Sequence, residues 1–564
     1  MTDPGVHQKT RGTIHVDIIV PVHNSEDTVE ETVQSALQQT CPEHIGLLVD
    51  RTVDLVVCCY DDGSTDCSWE KLVELQKKRE DPAYGKKVPK NWSVSLLIRK
   101  SSDGIARGAG YARNRCAEMR KQQQQQEPQQ RIQHDEQTKA QSPSPPPTTT
   151  TTIGSVTPVV DEYICLLDSD DVMHPTRIAE QLGLLLSLNL NDRHRTIVGC
   201  RFGRDPPDST WHYASWANSL SDERLLLEQF REVTVLQPTW MMSRAWFDRL
   251  GGYIEAPHPN NPKKTDEVIP NNGDTSALHQ SLVSLSTTET DLVPFQLIHP
   301  GIDNEQSLRL AEDLRFFHAH LRADGRLRLH PSTLLTYRHR AGQSQSSQTP
   351  RRLLLHLRVL AFERAVLRLD WLKTMSSTTN DDGNNQTKFV VWGAGRDGKD
   401  FIKALSPEIR SCVACLVDVD RNKIAAQYYV HKEMGIRIPV VHFHHLAADD
   451  KVRASLANDY ANGIDTNFGA IDKSKPNSTE QKNKLDSTTV QPSPNKRAKP
   501  NNPFPGGMPR RSRKLKKGKK GLDYELLPKL PVVVCVAMYR TNGALERNVR
   551  SIGRVEGKTL WHFS

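Results

Sequence analysis

Long apolar runs are missing from this 564-residue chain. Stretches such as 53–60 (VDLVVCCY) and 163–167 (YICLL) fall far short of the roughly 20 residues that cross a bilayer, so no transmembrane span is expected. The start, MTDPGVHQKTRGT, has no apolar core of a secretory signal, and a soluble cytoplasmic protein is the expectation. Cysteine is scarce. Ten in the whole chain are too few for a disulfide framework, and most stand inside apolar runs, as do Cys58, Cys59, Cys165, Cys200 and Cys535. They read as small buried hydrophobes of a reducing compartment. Cys412 and Cys415 form a C-x-x-C, but no second pair stands at zinc spacing, so they read as structural. Hydrophobic residues make up only 36% of the chain, against 34 prolines, so part of its length must be linker or insert rather than core.

Those inserts are visible. Residues 121–157 (with KQQQQQEPQQ and QSPSPPPTTTTT), 256–300 and 460–520 are polar and of low complexity, and 374–387 reads as a linker. Two blocks remain, 13–373 and 388–564. The net charge of +8 hints at nucleic acid, but residues 496–520 alone hold 11 Lys and Arg and no acid. Removing those 11 charges from +8 leaves −3. Nucleic acid is therefore expected only through 496–520, which reads equally as a nuclear localisation signal or a solvated insert.

The first block alternates continuous apolar strands (16–22, 53–60, 94–98, 162–167) with helical patterns (26–39 with Ser25 as N-cap, 68–79, 109–119, 177–190). That argues for a mostly parallel sheet with helices on both faces. Ligands of such sheets sit at the carboxyl ends of the strands. Acids stand there: Asp61-Asp62-Gly63-Ser64-Thr65-Asp66 after the second strand, Asp168-Ser169-Asp170-Asp171 after the fourth. In Asp168-x-Asp170 an extended backbone puts both carboxylates on one side. Two hard oxygen ligands suit Mg²⁺ or Mn²⁺ completed by a substrate's phosphates. A turn with helix capping is the plainer reading of one such pair. The series PVHN, DDGSTD, GIARGAGYARN and LLDSDD, in that order, alters the odds.

With those four motifs the first block resembles a family 2 glycosyltransferase of the GT-A fold, over roughly residues 14–340. The resemblance implies an inverting transfer of a sugar from a UDP-sugar to an acceptor hydroxyl on a glycan, protein or lipid. By it, Pro21, Val22, Asn24, Asp61 and Asp62 line the nucleotide pocket, one of the two aspartates taking the base. Arg107, Arg113 and Asn114 face the diphosphate or donor sugar, with Asp168 contributing. Asp168 and Asp170 hold the metal, with His339 where relatives often have a helping histidine. Glu312 and Asp313 form the acidic pair at a helix start, Asp313 being the base. Without the resemblance, a helix-face salt bridge to Arg309 or Arg315 explains that pair as well. The Gln-x-x-Arg-Trp signature of processive synthases is absent, which implies single addition. Trp240 reads either as a platform for a sugar ring or as core.

In the second block a strand (388–392) runs into Gly393-x-Gly395-x-x-Gly398 and a helix, with Asp418 at the end of the next strand. That is a dinucleotide-binding fingerprint in its proper context, so a small Rossmann-like domain with a second nucleotide site is a candidate. The pairing of the two blocks, and the run EGKTLWHFS, are similar to a β-1,3-N-acetylglucosaminyltransferase-like subgroup of animal proteins, which implies N-acetylglucosamine as the donated sugar. The competing reading is a catalytically silent regulatory protein that binds a sugar nucleotide or NAD.

Overall fold

In a computed structural model of the chain, the described residues are 12–48, 50–80, 89–139, 161–256, 295–339, 349–371, 388–463, 522–536 and 543–563. The linker 374–387, the basic run 496–520 and most of the three expected inserts lie outside them. Among the described residues, eight strands form one sheet and six a second. No described helix is long and apolar enough to cross a membrane.

The first strands are β1 (Ile14–Val22), β2 (Val53–Asp61), β3 (Trp92–Lys100) and β4 (Asp161–Leu166). Neighbouring Ile18 and Ile19 are both fully buried, so β1 is covered on both faces, as the apolar run after Asp17 requires. These four strands are parallel, in the order β3-β2-β1-β4. The chain therefore reverses its winding between β1 and β4, which opens a crevice at their carboxyl ends. Four more strands extend the sheet: β5 (Val172–Met173), β6 (Thr196–Asp205), β7 (Met241–Ser243) and β8 (Arg326–Arg338). β7 is antiparallel to β4 and β6, whereas β8 lies parallel to β6 and antiparallel to β5.

Helices α1 (Val29–Leu37), α2 (Ser68–Glu80), α3 (Ala109–Lys139) and α4 (Arg177–Ser187) pack on this sheet. Two differ from the sequence reading. α1 starts at Val29 after Thr28, and Ser25 turns its hydroxyl toward the His23 carbonyl and Ser169 instead of capping. α3 runs on through the glutamine tract, because Gln, Glu and Lys lose little rotamer freedom in a helix already anchored at its start. The anchor is ionic. Buried Asp17 interrupts the apolar β1, and Arg120 of α3 donates to it at 2.5 Å while Arg244 takes its other oxygen.

The second sheet contains β9 (Phe389–Trp392), β10 (Val413–Asp418), β11 (Tyr428–His431), β12 (Ile436–His442), β13 (Val532–Val534) and β14 (Leu560–His562). Its order is β11-β12-β10-β9-β13-β14, parallel except for the edge strand β11. Cys412 and Cys415 are free and buried there. An aromatic cluster joins the two halves: Phe230 meets Trp561 at 5.3 Å and Phe362 at 4.9 Å, and Phe563 lies 4.7 Å from Phe401. Arg224 reaches Glu556 across the same seam at 2.7 Å.

Candidate active site

The turns after β1 and β2 lock together at the crevice. Asn24 adopts a left-handed conformation (φ 48°), donates its backbone N–H to Ser64 Oγ at 3.0 Å and accepts from the Thr65 N–H at 2.9 Å. Gly63 is also left-handed (φ 72°), and a Cβ there would stand 2.6 Å from the Gly104 carbonyl oxygen. This close approach brings the loop after β3 onto the second-strand acids. Asp62 accepts the N–H groups of Arg107 and Gly108 at 2.8 and 2.7 Å, while Asp61 accepts from Ser64 at 3.0 Å. Asp61 Oδ2 and Asp62 Oδ1 are buried without a hydrogen-bond partner among the described residues. Burial raises the Asp62 carboxyl above its ordinary range. Pro21 and Val22 lie beside Tyr60 and Asp61 on β2, and the Val22 carbonyl accepts the Asp62 N–H at 2.8 Å.

Beside them stands the loop after β4. Thr28 and Thr32 of the first helical segment donate to the Ser169 carbonyl at 2.9 and 3.0 Å, and Ser25 and Ser169 share a 2.7 Å hydroxyl contact. So held, Asp168, Asp170 and Asp171 bring carboxylate oxygens within 4.8 Å of one another. Asp171 is fully buried; it accepts the Arg338 N–H at 3.0 Å and leaves Oδ2 without a partner. Burial, with Asp170 and Asp168 adding, pushes its carboxyl well above the ordinary range. An all-carboxylate set with an orphaned buried oxygen fits a hard divalent cation. His339 is exposed and outside this set, its N–H donating to the Asp205 carbonyl at 2.8 Å.

Arg113, buried on α3, spans the crevice. It donates to Asp168 at 2.6 Å and to Glu312 at 2.9 Å, linking the loop after β4 to the helix Glu312–Arg322. The alternative of a helix-face salt bridge for Glu312-Asp313 does not hold, since Arg309 pairs with Glu305 and Arg315 with Asp303. Asp313 is pushed up to about 7, first by burial and then by the neighbouring Glu312.

Several expected site residues are turned to internal work. Asn114 donates to the Tyr253 carbonyl and Glu255 and accepts from the Tyr253 N–H, so it holds the 253–255 segment. The Arg107 guanidinium is engaged by Asp103. Trp240 is fully buried with its indole N–H on the Val235 carbonyl at 2.8 Å; it is core and offers no platform. One member of the carboxylate group, Asp171, carried no assigned role in the sequence reading. It was legible in the run DSDD, directly beside Asp170.

At the second candidate site the fingerprint residues are engaged within their own loop. Gly393 is left-handed (φ 118°) with its Cβ position 2.8 Å from Val536, and Gly398 packs directly under the Gly393 carbonyl, so both glycines serve close packing. Gly395 stands at the N-cap of the following helix, Arg396–Ala404. Asp418, expected to take a ribose, spends its oxygens on the N–H groups of Ala394, Val419 and Asp420 and on Lys423.

Residues 17–100 match the family model described as Glycosyl transferase family 2. A poly(ribitol-phosphate) beta-glucosyltransferase of Bacillus spizizenii is 36% identical over 66 residues, 12% of this chain and 9% of that protein. The chain thus spans about a tenth of the length of that curated relative. Among solved structures, S. aureus TarS 1-349 in complex with UDP-GlcNAc aligns over 80% of this chain and 90% of its own, at 12% identity and a TM-score of 0.34. The mannosyltransferase PcManGT from Pyrobaculum calidifontis, in complex with GDP-Man and Mn²⁺, aligns over 62% and 64%, at 12% identity and a TM-score of 0.32. The residues that this family model matches are those that build most of β1, with β2, β3 and the two interlocked turns, on a mixed α/β fold.

Proposed function

We propose that the chain is an inverting, divalent-metal-dependent glycosyltransferase that moves a sugar from a UDP-sugar to an acceptor hydroxyl. The observation that carries this reading is Arg113, which ties the three-carboxylate group to the acidic helix start across one crevice, with the half-satisfied Asp61 and Asp62 alongside. A departing nucleoside diphosphate needs its charge neutralised, and an attacking hydroxyl needs a base on the opposite face of the sugar. Both needs are met here by different residues.

In this reading Asp168, Asp170 and Asp171 hold Mn²⁺ or Mg²⁺, with His339 as an outer neighbour. Such a cation, when bound, supplies charge stabilisation to the leaving diphosphate. Asp61 or Asp62 receives the nucleotide base through its free carboxylate oxygen, and the PVHN turn (Pro21, Val22, Asn24) walls the pocket. Arg113 balances Asp168 and Glu312 and faces the diphosphate end, with Arg107 at the loop above. Asp313 takes the acceptor proton as the acceptor oxygen bonds to the anomeric carbon; the bond from that carbon to the diphosphate oxygen breaks and UDP leaves. One displacement inverts the centre. N-acetylglucosamine as the donated sugar rests on the similarity of the paired blocks to the animal β-1,3-N-acetylglucosaminyltransferase-like subgroup.

The test is UDP and GDP release from a panel of nucleotide sugars, with Mn²⁺ and with chelator. Metal-dependent release from UDP-N-acetylglucosamine is expected. Release from no donor, or release indifferent to the chelator, overturns the assignment.

A further inference from the structure

The positive charges met so far at the crevice are already committed. Arg113 is held between Asp168 at 2.6 Å and Glu312 at 2.9 Å, Arg107 is paired with Asp103, and Arg338 is paired with Glu31 at 2.6 Å and Asp205 at 3.4 Å. A guanidinium balanced by two carboxylates has little field left for a third anion. Even with a divalent cation among them, the three carboxylates and a departing diphosphate leave negative charge in excess. The chemistry calls for one more cation, uncommitted and close to the carboxylate group.

Arg204 meets that description. It stands on β6 opposite Tyr337 of β8. Across the other edge of β8, Val172 pairs with Thr336 in antiparallel register, so Asp171 stands level with Tyr337. The Arg338 N–H fixes that placement by donating to the Asp171 carboxylate at 3.0 Å. One cross-strand row therefore runs from Asp171 through Tyr337 to Arg204, with neighbouring strands about 4.8 Å apart. The Arg204 guanidinium is half-buried and lies over the Tyr337 ring, 4.5 Å from its centre, while its Nε donates to the Ser209 carbonyl at 3.0 Å. Stack and hydrogen bond together set the plane of the group. Its Nη1 is buried without a hydrogen-bond partner, and no acid pairs with it, among the described residues. Burial and then the charges of Asp168, Asp171 and Asp170 raise the Tyr337 phenol, and Arg204 acts against them, in keeping with the row. Stapling the turn to Ser209 needs only Nε. A buried charged donor without an acceptor is costly, and that cost is relieved when an anion arrives.

We infer that Arg204 binds the diphosphate of the nucleotide through Nη1 and carries its charge as it departs. This deepens the transferase reading and rests on it only for the departure step. In that step the bond from the anomeric carbon to the diphosphate oxygen breaks and its electron pair stays on that oxygen. The acceptor oxygen bonds to the carbon and gives its proton to Asp313. Arg204 keeps its own protons throughout and acts by charge and hydrogen bonding alone.

The experiment uses the full chain and two readouts. Calorimetry in the presence of Mn²⁺ measures binding of UDP and of uridine, which lacks the phosphates. Arg204→Ala is expected to weaken UDP binding about tenfold or more and to change uridine binding less than about twofold. Arg204→Lys, which keeps the charge and loses the planar fork, is expected to recover part of the loss. UDP release from UDP-N-acetylglucosamine is then followed with no acceptor other than water. Arg204→Ala is expected to slow it about 100-fold, and added guanidinium to restore part of the rate. Arg204→Gln is read by the same criteria if Arg204→Ala has lost the wild-type circular dichroism spectrum. Equal weakening of UDP and uridine shows that Arg204 only staples its turn and overturns the inference, as does unchanged UDP binding or the absence of UDP binding by wild type. Selective weakening of UDP, in a wild type that releases UDP from no donor, refutes the transferase reading and leaves Arg204 at the diphosphate.

Discussion

Single residues decide whether the crevice works. Gly63 allows the second-strand turn to touch the Gly104 backbone, and no rotamer change can relieve a Cβ placed 2.6 Å from a carbonyl. Gly63→Ala should cost about 1–3 kcal/mol of stability and weaken UDP binding, read by denaturant titration and calorimetry. At the carboxylate group, Asp170→Ala should lower transfer by about 100-fold or more and abolish metal-dependent UDP binding, with the circular dichroism spectrum unchanged. Full activity in that variant would remove Asp170 from the metal assignment. Asn114, expected at the donor, makes three hydrogen bonds to the 253–255 segment, a task that its place in the motif does not reveal.

At the scale of elements, the helix Glu312–Arg322 sets a pH signature. Burial and the adjacent Glu312 raise Asp313 to about 7. A base works when deprotonated, so transfer should rise with pH through about 7, and Asp313→Asn should lose transfer while keeping UDP binding. Stability follows the opposite sign. The folded chain holds this proton more tightly than the unfolded one, so wild type loses stability as pH climbs from the ordinary carboxylate value of about 4 toward 7. Asp313→Asn should therefore gain more in Tm over wild type at pH 8 than at pH 4, measured by thermal unfolding. A gain independent of pH would show that Asp313 is not held at a raised pKa. Elements such as β1 and β2 were legible because a largely apolar run flanked by turn residues has few other ways to fold. α3 beyond residue 119 was not, since a glutamine tract has no hydrophobic period and follows whatever its start is anchored to.

Across the whole molecule, the second sheet is tied to the helix that carries the acidic pair. Phe230 packs against Trp561 on one side and stacks on His318 of that helix at 5.7 Å on the other. Trp561→Ala should cost about 3–5 kcal/mol and lower the unfolding temperature of the entire chain, seen as one calorimetric transition shifted downward. Breaking the partly exposed Arg224–Glu556 pair with Glu556→Gln should cost far less, about 1 kcal/mol or below. If Trp561→Ala splits the unfolding into two transitions, the aromatic seam is what makes the halves cooperate.

The amino-acid order alone determined the α/β class, the parallel run of the first four strands and the position of the acids at their ends. Apolar runs, turn residues and carboxylates act through neighbours in the chain, so their pattern is local. Only the tertiary structure decided which acids share a crevice, that Arg113 joins two of them, that Asp418 is consumed by its own loop and that Trp240 is core. Each of those outcomes depends on burial and on partners remote in sequence, and packing rather than local pattern sets both.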